Sequence, residues 1–183
     1  MTRIYLIRHG EAIGYEDSDP ALSELGQEQA RQVAERLVEL VGAPIDLITS
    51  PLRRARETAQ PLAERWSTEA LVVDAVRELP SPGTHGERRP WLRAALRSTF
   101  EAVGEQQREW RAAILRALSQ RERDTAVFTH AVVISAVVGH LTDDDRVLGF
   151  LPANTSITVV DVIDGRLSLV ERGAGRDEVG DVG

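Results

Sequence analysis

The 183-residue sequence has no cysteine and no lysine; all 22 of its basic residues are arginine. Without cysteine there is no thiolate nucleophile, no disulfide and no thiolate-ligated metal. Without lysine there is no Schiff-base amine and no P-loop lysine. Long apolar runs are missing too. The run at residues 4–7 is too short for the apolar part of a signal peptide. The uncharged stretch 126–142 is short for a membrane span, and Thr129, His130, Ser135 and His140 interrupt it. Positive charge is in deficit: 29 acidic residues leave a net charge of −7. That argues against nucleic-acid or anionic-membrane partners, which reward a positive surface. A soluble, cytoplasmic protein is the expectation. Asparagine occurs once, at Asn154, and alanine is abundant, as GC-rich coding would produce. Arginine abundance by itself therefore carries little weight.

Covalent chemistry is left to Ser, Thr, Asp, Glu, Tyr and four histidines: His9, His85, His130 and His140. The length suits one domain, spanning residues 1–172, and a chain of this size buries roughly 70% of its unfolded surface. The short apolar run at residues 4–7 reads as a strand buried on both faces. Ser23 is a plausible N-cap, and Ala30, Val33, Ala34, Leu37, Val38 and Val41 recur at helical spacing until Gly42-Ala43-Pro44. Residues 45–49 and 71–76 are further strand candidates. Residues 52–66 read as a helix that Pro61 should kink or divide. Residues 101–118 form a helix with an apolar stripe of Trp110, Ile114, Leu115 and Leu118. Residues 125–129 read as a strand, followed by an apolar helix over 131–141. Residues 155–162 and 167–171 flank Asp164-Gly165, a strong hairpin signal. Alternating strands and helices imply an α/β fold, a three-layer α/β/α sandwich with a mainly parallel sheet and an antiparallel edge strand. Residues 79–104 carry three prolines and no clear strand, so they read as a lid-like excursion. The glycine-rich residues 173–183 read as a flexible tail.

Ligands of parallel α/β sheets bind beyond the carboxyl ends of the strands. Four strand candidates deliver chemistry there. The first ends in Arg8-His9-Gly10-Glu11 and the fourth in His130. The second leads through Ser50 to Arg53 and Arg54, and the third to Arg77 and Glu78. These types suit phosphoryl transfer without metal. Arginine forks match phosphate oxygens, a neutral imidazole can attack phosphorus, and a carboxylic acid can protonate the leaving alkoxide.

The ordered set resembles the histidine phosphatase superfamily, which includes cofactor-dependent phosphoglycerate mutase. The matching segments are Arg8-His9-Gly10-Glu11, Leu22-Ser23-Glu24-Leu25-Gly26 with Gln29-Ala30, Ser50-Pro51-Leu52-Arg53-Arg54-Ala55 with Glu57-Thr58-Ala59, Glu78, Thr129-His130, and Asn154-Thr155-Ser156-Ile157-Thr158. The likeness runs from residue 3 to about residue 172. It implies a phosphoglycerate mutase-like fold, with His9 as the nucleophile and Arg8, Arg54 and His130 around the phosphoryl group. Glu78 aligns with the family's proton donor. Many relatives continue that acid with a Gly-x-Trp-Glu-Gly type stretch, where this chain has Leu79-Pro80-Ser81-Pro82-Gly83-Thr84-His85-Gly86-Glu87.

The implied activity is hydrolysis of small-molecule phosphomonoesters, with no metal and no other cofactor. The alternatives are a phosphomutase, a protein phosphohistidine or phosphoserine phosphatase, and a non-catalytic phosphate-binding protein. A compact chain without large insertions weighs against the mutase. Arg53 and Arg54 are adjacent on a helix, so one must point away; alignment favours Arg54 at the phosphate, leaving Arg53 as a secondary anion contact or a surface residue. Glu11 reads as a structural hydrogen-bond acceptor, His140 as structural, and Asp143-Asp144-Asp145 as a solvated loop. His85 reads as a surface residue or a substrate contact. Residues 88–97 hold four arginines and no acid. Arg89, Arg93 and Arg97 share a helix face at i, i+4 spacing. They are either a solvated face or, with Arg89 and Arg93, a grip on a second anionic group of the substrate.

Overall fold

The computed structural model describes residues 1–14, 19–81 and 85–177, without the side chains of 85–88. β1 (Thr2–Arg8) lies inside the sheet, which is why its apolar run is continuous. It pairs in parallel with β4 (Thr125–Thr129) and antiparallel with β6 (Ile157–Ile163). Both of its faces are covered. Tyr5 and Ile7 pack toward α1 (Glu24–Val41) and α2 (Arg53–Arg65), with Val33, Leu37, Ala59 and Leu62. Ile4 and Leu6 pack on the other face against α5 (Glu105–Ser119) and α6 (Ala131–Leu141), with Ile114, Leu118, Ile134 and Val137. The result is the expected three-layer α/β/α sandwich. The six-stranded sheet runs β3-β2-β4-β1-β6-β7, with β2 at Asp46–Thr49, β3 at Leu71–Val72 and β7 at Arg166–Glu171. β3, β2, β4 and β1 are mutually parallel, so their carboxyl ends share one edge. β6 and β7 close the other side as the expected hairpin. Asp164 (φ 51°) and Gly165 (φ 74°) supply the two left-handed residues of a short primed turn.

Several expectations shift. Pro61 sits inside a continuous α2. It forfeits one N–H bond, but Ala55, Thr58, Ala59 and Leu62 of the same helix are buried, and tertiary packing outweighs the local loss. The third strand stops at Val72 and turns into a 3-10 segment, Asp74–Val76. The Thr129 hydroxyl donates to the Val76 carbonyl at 2.7 Å and pins that turn to β4. The helix read at 101–118 is broken at Gly104 (φ 127°) into α4 (Phe100–Val103) and α5.

The excursion at 79–104 contains α3 (His85–Leu96) and α4, anchored to α6 through Leu79, Ala95, Phe100, Val132 and Ala136. The tail expected from residue 173 is correct for none of its first residues. β8 (Gly175–Arg176) pairs with β5 (Leu151–Pro152), and a side chain at 175 would collide with the Leu151 carbonyl at 2.5 Å. Here glycine permits close packing. Residues 178–183 lie outside the described ones. No helix among the described residues is long and apolar enough to cross a membrane.

Candidate active site

The parallel strands set the site. Arg8 of β1 is in register with Thr129 of β4, and each strand is followed by a histidine. The His9 amide donates to the Thr129 carbonyl at 2.9 Å. The rings of His9 and His130 meet edge to face with centroids 5.2 Å apart. β2 is followed by Ser50, and the first turn of α2 brings in Arg54.

His9 is 3% exposed. Its tautomer follows from its partners. Arg54 Nε–H donates to His9 Nε2 at 3.1 Å, and a guanidinium has no acceptor, so Nε2 must hold the lone pair. Nδ1 then carries the proton and donates to the Gly10 carbonyl at 2.6 Å. Burial first, then the charges of Arg54 and Arg8, push the pKa of His9 down to about 3. His9 is thus a neutral imidazole with its free nitrogen facing a cation.

His130 is fully buried, and burial, with His9, Arg54, Arg8 and Arg77 around it, holds its pKa well below the usual histidine range. Its Nε2 lies 2.7 Å from Ser50 Oγ, and its Nδ1 lies 4.0 Å from Glu78 Oε2. Glu78 is steered by its own backbone, since the Leu79 amide donates to Oε1 at 3.0 Å. Arg8 is half-buried and donates from Nη1 to the Pro152 carbonyl at 2.6 Å. Arg54 is 4% exposed, while Arg53 faces outward and pairs with Glu57 at 2.7 Å. The structure therefore brings Arg8, His9, Arg54, Glu78 and His130 together and leaves Arg53 outside.

Backbone contacts hold this group in place. A side chain at Gly10 would meet the Gly26 carbonyl at 2.6 Å, and one at Gly26 would meet the Glu11 carbonyl at 2.0 Å. The loop after β1 and the start of α1 thus require two glycines face to face. Thr58 Oγ1 accepts from the Gly10 amide at 3.0 Å and donates to the Arg54 carbonyl at 2.6 Å. Asn154 Nδ2 donates to the His9 carbonyl at 2.9 Å. Asn154 precedes Thr155, which sits at φ 54° with its carbonyl accepting from Arg36. Glu11 Oε1 accepts from Ser23 Oγ at 2.8 Å, and Ser23 caps α1 at Gly26. Sequence reasoning gave no role to Ser50, Thr58 or Asn154. The signal was their place inside the matching segments.

The remaining candidates lie elsewhere. Arg89 and Arg93 are exposed on α3, and the side chain of His85 lies outside the described ones. His140 is exposed near the end of α6. Asp144 is bound to Arg146 at 2.7 Å and Asp145 to Arg111 at 2.8 Å. Chemically, the cluster offers a neutral nucleophile, two guanidinium groups and a carboxyl group around one point. Such a set could receive a tetrahedral oxyanion undergoing in-line attack.

A family model described as histidine phosphatase superfamily (branch 1) matches residues 4–174. Over 176 residues the chain is 28% identical to "Probable phosphoglycerate mutase GpmB" of Erwinia tasmaniensis, covering 84% of this chain and 78% of that one. Among solved structures, a mycobacterial glucosyl-3-phosphoglycerate phosphatase complexed with VO3 is 25% identical with a TM-score of 0.68, covering 95% and 100% of the two chains. Bacillus stearothermophilus YhfR shares the fold at a TM-score of 0.74, with 23% identity over 93% and 96%.

Proposed function

The chain belongs to the histidine phosphatase superfamily, and we propose that it is a metal-independent phosphomonoester hydrolase working through a phosphohistidine on His9. The observation that carries this reading is the neutral His9, with its Nε2 lone pair against Arg54. In this reading Nε2 attacks phosphorus. The N–P bond forms as the P–O bond to the leaving group breaks, and protonated Glu78 gives its proton to the departing oxygen. Arg8, Arg54 and His130 stabilise the equatorial oxygens. Water then attacks phosphorus, its proton passes to the Glu78 carboxylate, and the N–P bond breaks. Inorganic phosphate leaves and His9 returns neutral.

The substrates proposed are phosphorylated small molecules of the cytoplasm. Helices α3 and α4 would partly cover the site as a lid, with Arg89 and Arg93 taking a second anionic group. The test is phosphate release from a panel of phosphomonoesters in excess chelator. Release is expected to be insensitive to chelator and fastest for substrates with a second anionic group. The similarity to a protein named as a mutase favours a second reading, transfer between positions of phosphoglycerate. Isomerisation of phosphoglycerate without phosphate release would establish it instead.

Glu78→Gln is expected to lower kcat on alkyl phosphates by roughly 10²- to 10⁴-fold, the usual worth of general acid–base catalysis. The loss should be much smaller on p-nitrophenyl phosphate, whose leaving group needs no proton. Equal losses on both substrates would assign the proton transfer to another group.

A further inference from the structure

We infer that Ser50 is a positioning residue that fixes the tautomer of His130, so that this histidine meets the phosphoryl group as a neutral Nδ1–H donor. The role of that donor rests on the phosphatase reading; the tautomer itself does not. The inference comes from counting hydrogens at one buried hydroxyl.

Ser50 and His130 are both fully buried. Ser50 Oγ has two neighbours. The Leu52 amide donates to it at 3.2 Å, and His130 Nε2 lies 2.7 Å away. Among the described residues His130 Nδ1 has no hydrogen-bond partner, and it lies 4.0 Å from Glu78 Oε2. A hydroxyl has one hydrogen and two lone pairs. Two arrangements are possible.

If His130 carried its proton on Nε2, Ser50 Oγ would accept from both Leu52 and His130. The serine hydrogen would then have no acceptor among the described residues, in a place without exposure. The Nδ1 lone pair would meanwhile face the Glu78 carboxyl oxygens. A buried unmade hydrogen bond of this kind is costly. If Ser50 O–H instead donates to Nε2, the serine hydrogen and one of its two lone pairs are used. The proton of His130 then sits on Nδ1 and faces Glu78. That orientation is attractive when Glu78 is ionised and leaves an N–H ready for a phosphoryl oxygen. Each arrangement leaves one hydrogen unpaired, the serine's in the first and Nδ1–H in the second, and only the second turns that hydrogen toward the Glu78 carboxyl oxygens.

The consequence is functional. Burial first, then His9 and the neighbouring arginines, disfavour an imidazolium at 130. A neutral imidazole donates through one nitrogen only. Ser50 selects which one, and thereby turns a buried histidine into an oriented donor of the kind used to hold developing oxyanions.

Long-range ¹H–¹⁵N spectra of labelled protein separate the two tautomers and the imidazolium, with the His130 signals assigned by their loss in His130→Gln. At neutral pH the wild type is expected to show protonated Nδ1 and unprotonated Nε2 at His130. Ser50→Ala should populate the Nε2–H form and lower kcat roughly 10- to 100-fold, the scale seen when a group orienting a functional histidine is removed. Ser50→Thr, which keeps the hydroxyl, should restore the tautomer. An Nε2–H tautomer or an imidazolium in the wild type would overturn the inference. So would a Ser50→Ala protein with an unchanged His130 spectrum. The wild-type spectrum needs no turnover. Failure of the tautomer assignment is therefore distinct from failure of the phosphatase reading, which phosphate release tests.

Discussion

Replacing Arg54 by alanine is expected to lower kcat/KM for phosphomonoesters by roughly 10³-fold, the upper range for loss of one preorganised donor from an oxyanion site. Two effects combine. The guanidinium is buried beside His9, so a positive charge leaves a poorly screened phosphoryl site. The same Nε–H also orients the nucleophile. Lysine should restore little, because a point ammonium offers no fork and no Nε donor in that plane. A pH effect accompanies the loss. Burial is the largest cause of the low His9 pKa, and Arg54 is the next. Without Arg54 the pKa rises from about 3 toward the ordinary histidine value, and the acid limb of kcat/KM moves up with it.

The sign for stability follows from the same shift. The folded pKa of His9 lies below the unfolded one. The neutral form's contribution is therefore complete above the ordinary value and is lost as pH falls toward about 3. Acidification through that window destabilises the wild type, and Arg54→Ala narrows the window. Steady-state kinetics and thermal melts across it check both statements. A loss below tenfold, or an acid limb that does not move, would contradict them.

Much of this was legible in the sequence for physical reasons. The residue 4–7 run read as a strand buried on both faces, because a short apolar run rich in β-branched and aromatic residues suits the inside of a parallel sheet. Asp164-Gly165 named its hairpin because few residue pairs tolerate two left-handed conformations. Strand ends carrying His9 and His130 implied one edge as soon as the sheet was parallel. Arg54 was separated from Arg53 by alignment, and the helix geometry gives the reason: adjacent positions point about 100° apart.

What escaped were effects of tertiary contact. The break at Gly104 leaves the apolar stripe intact, so periodicity hides it. The glycines at 173 and 175 looked like slack, because composition does not reveal that Ile157 and Leu151 pass within contact of them. Ser50, Thr58 and Asn154 each reach a group distant in sequence through one hydrogen bond. No local pattern announces such a bond.

His9→Ala should carry the largest loss of all, on the order of 10⁴- to 10⁶-fold in kcat, as when a covalent nucleophile is removed from a hydrolase. No other residue can take its place. Cysteine is absent from the chain, and His130 turns its Nε2 toward Ser50. A variant that keeps Arg8 and Arg54, the proposed phosphate ligands, should still bind substrate, so the loss should fall on kcat more than on KM. The intermediate itself is the most direct test. Wild-type protein is mixed with excess phosphomonoester, quenched within the first turnover at alkaline pH, where phosphohistidine survives, and cleaved at arginine. The peptide spanning residues 9–31, which holds His9 as its only histidine, is then weighed. That peptide is predicted to gain one phosphoryl group in the wild type and none in His9→Ala. Turnover of the same substrate with no phosphoryl group ever found on His9 would contradict the covalent mechanism.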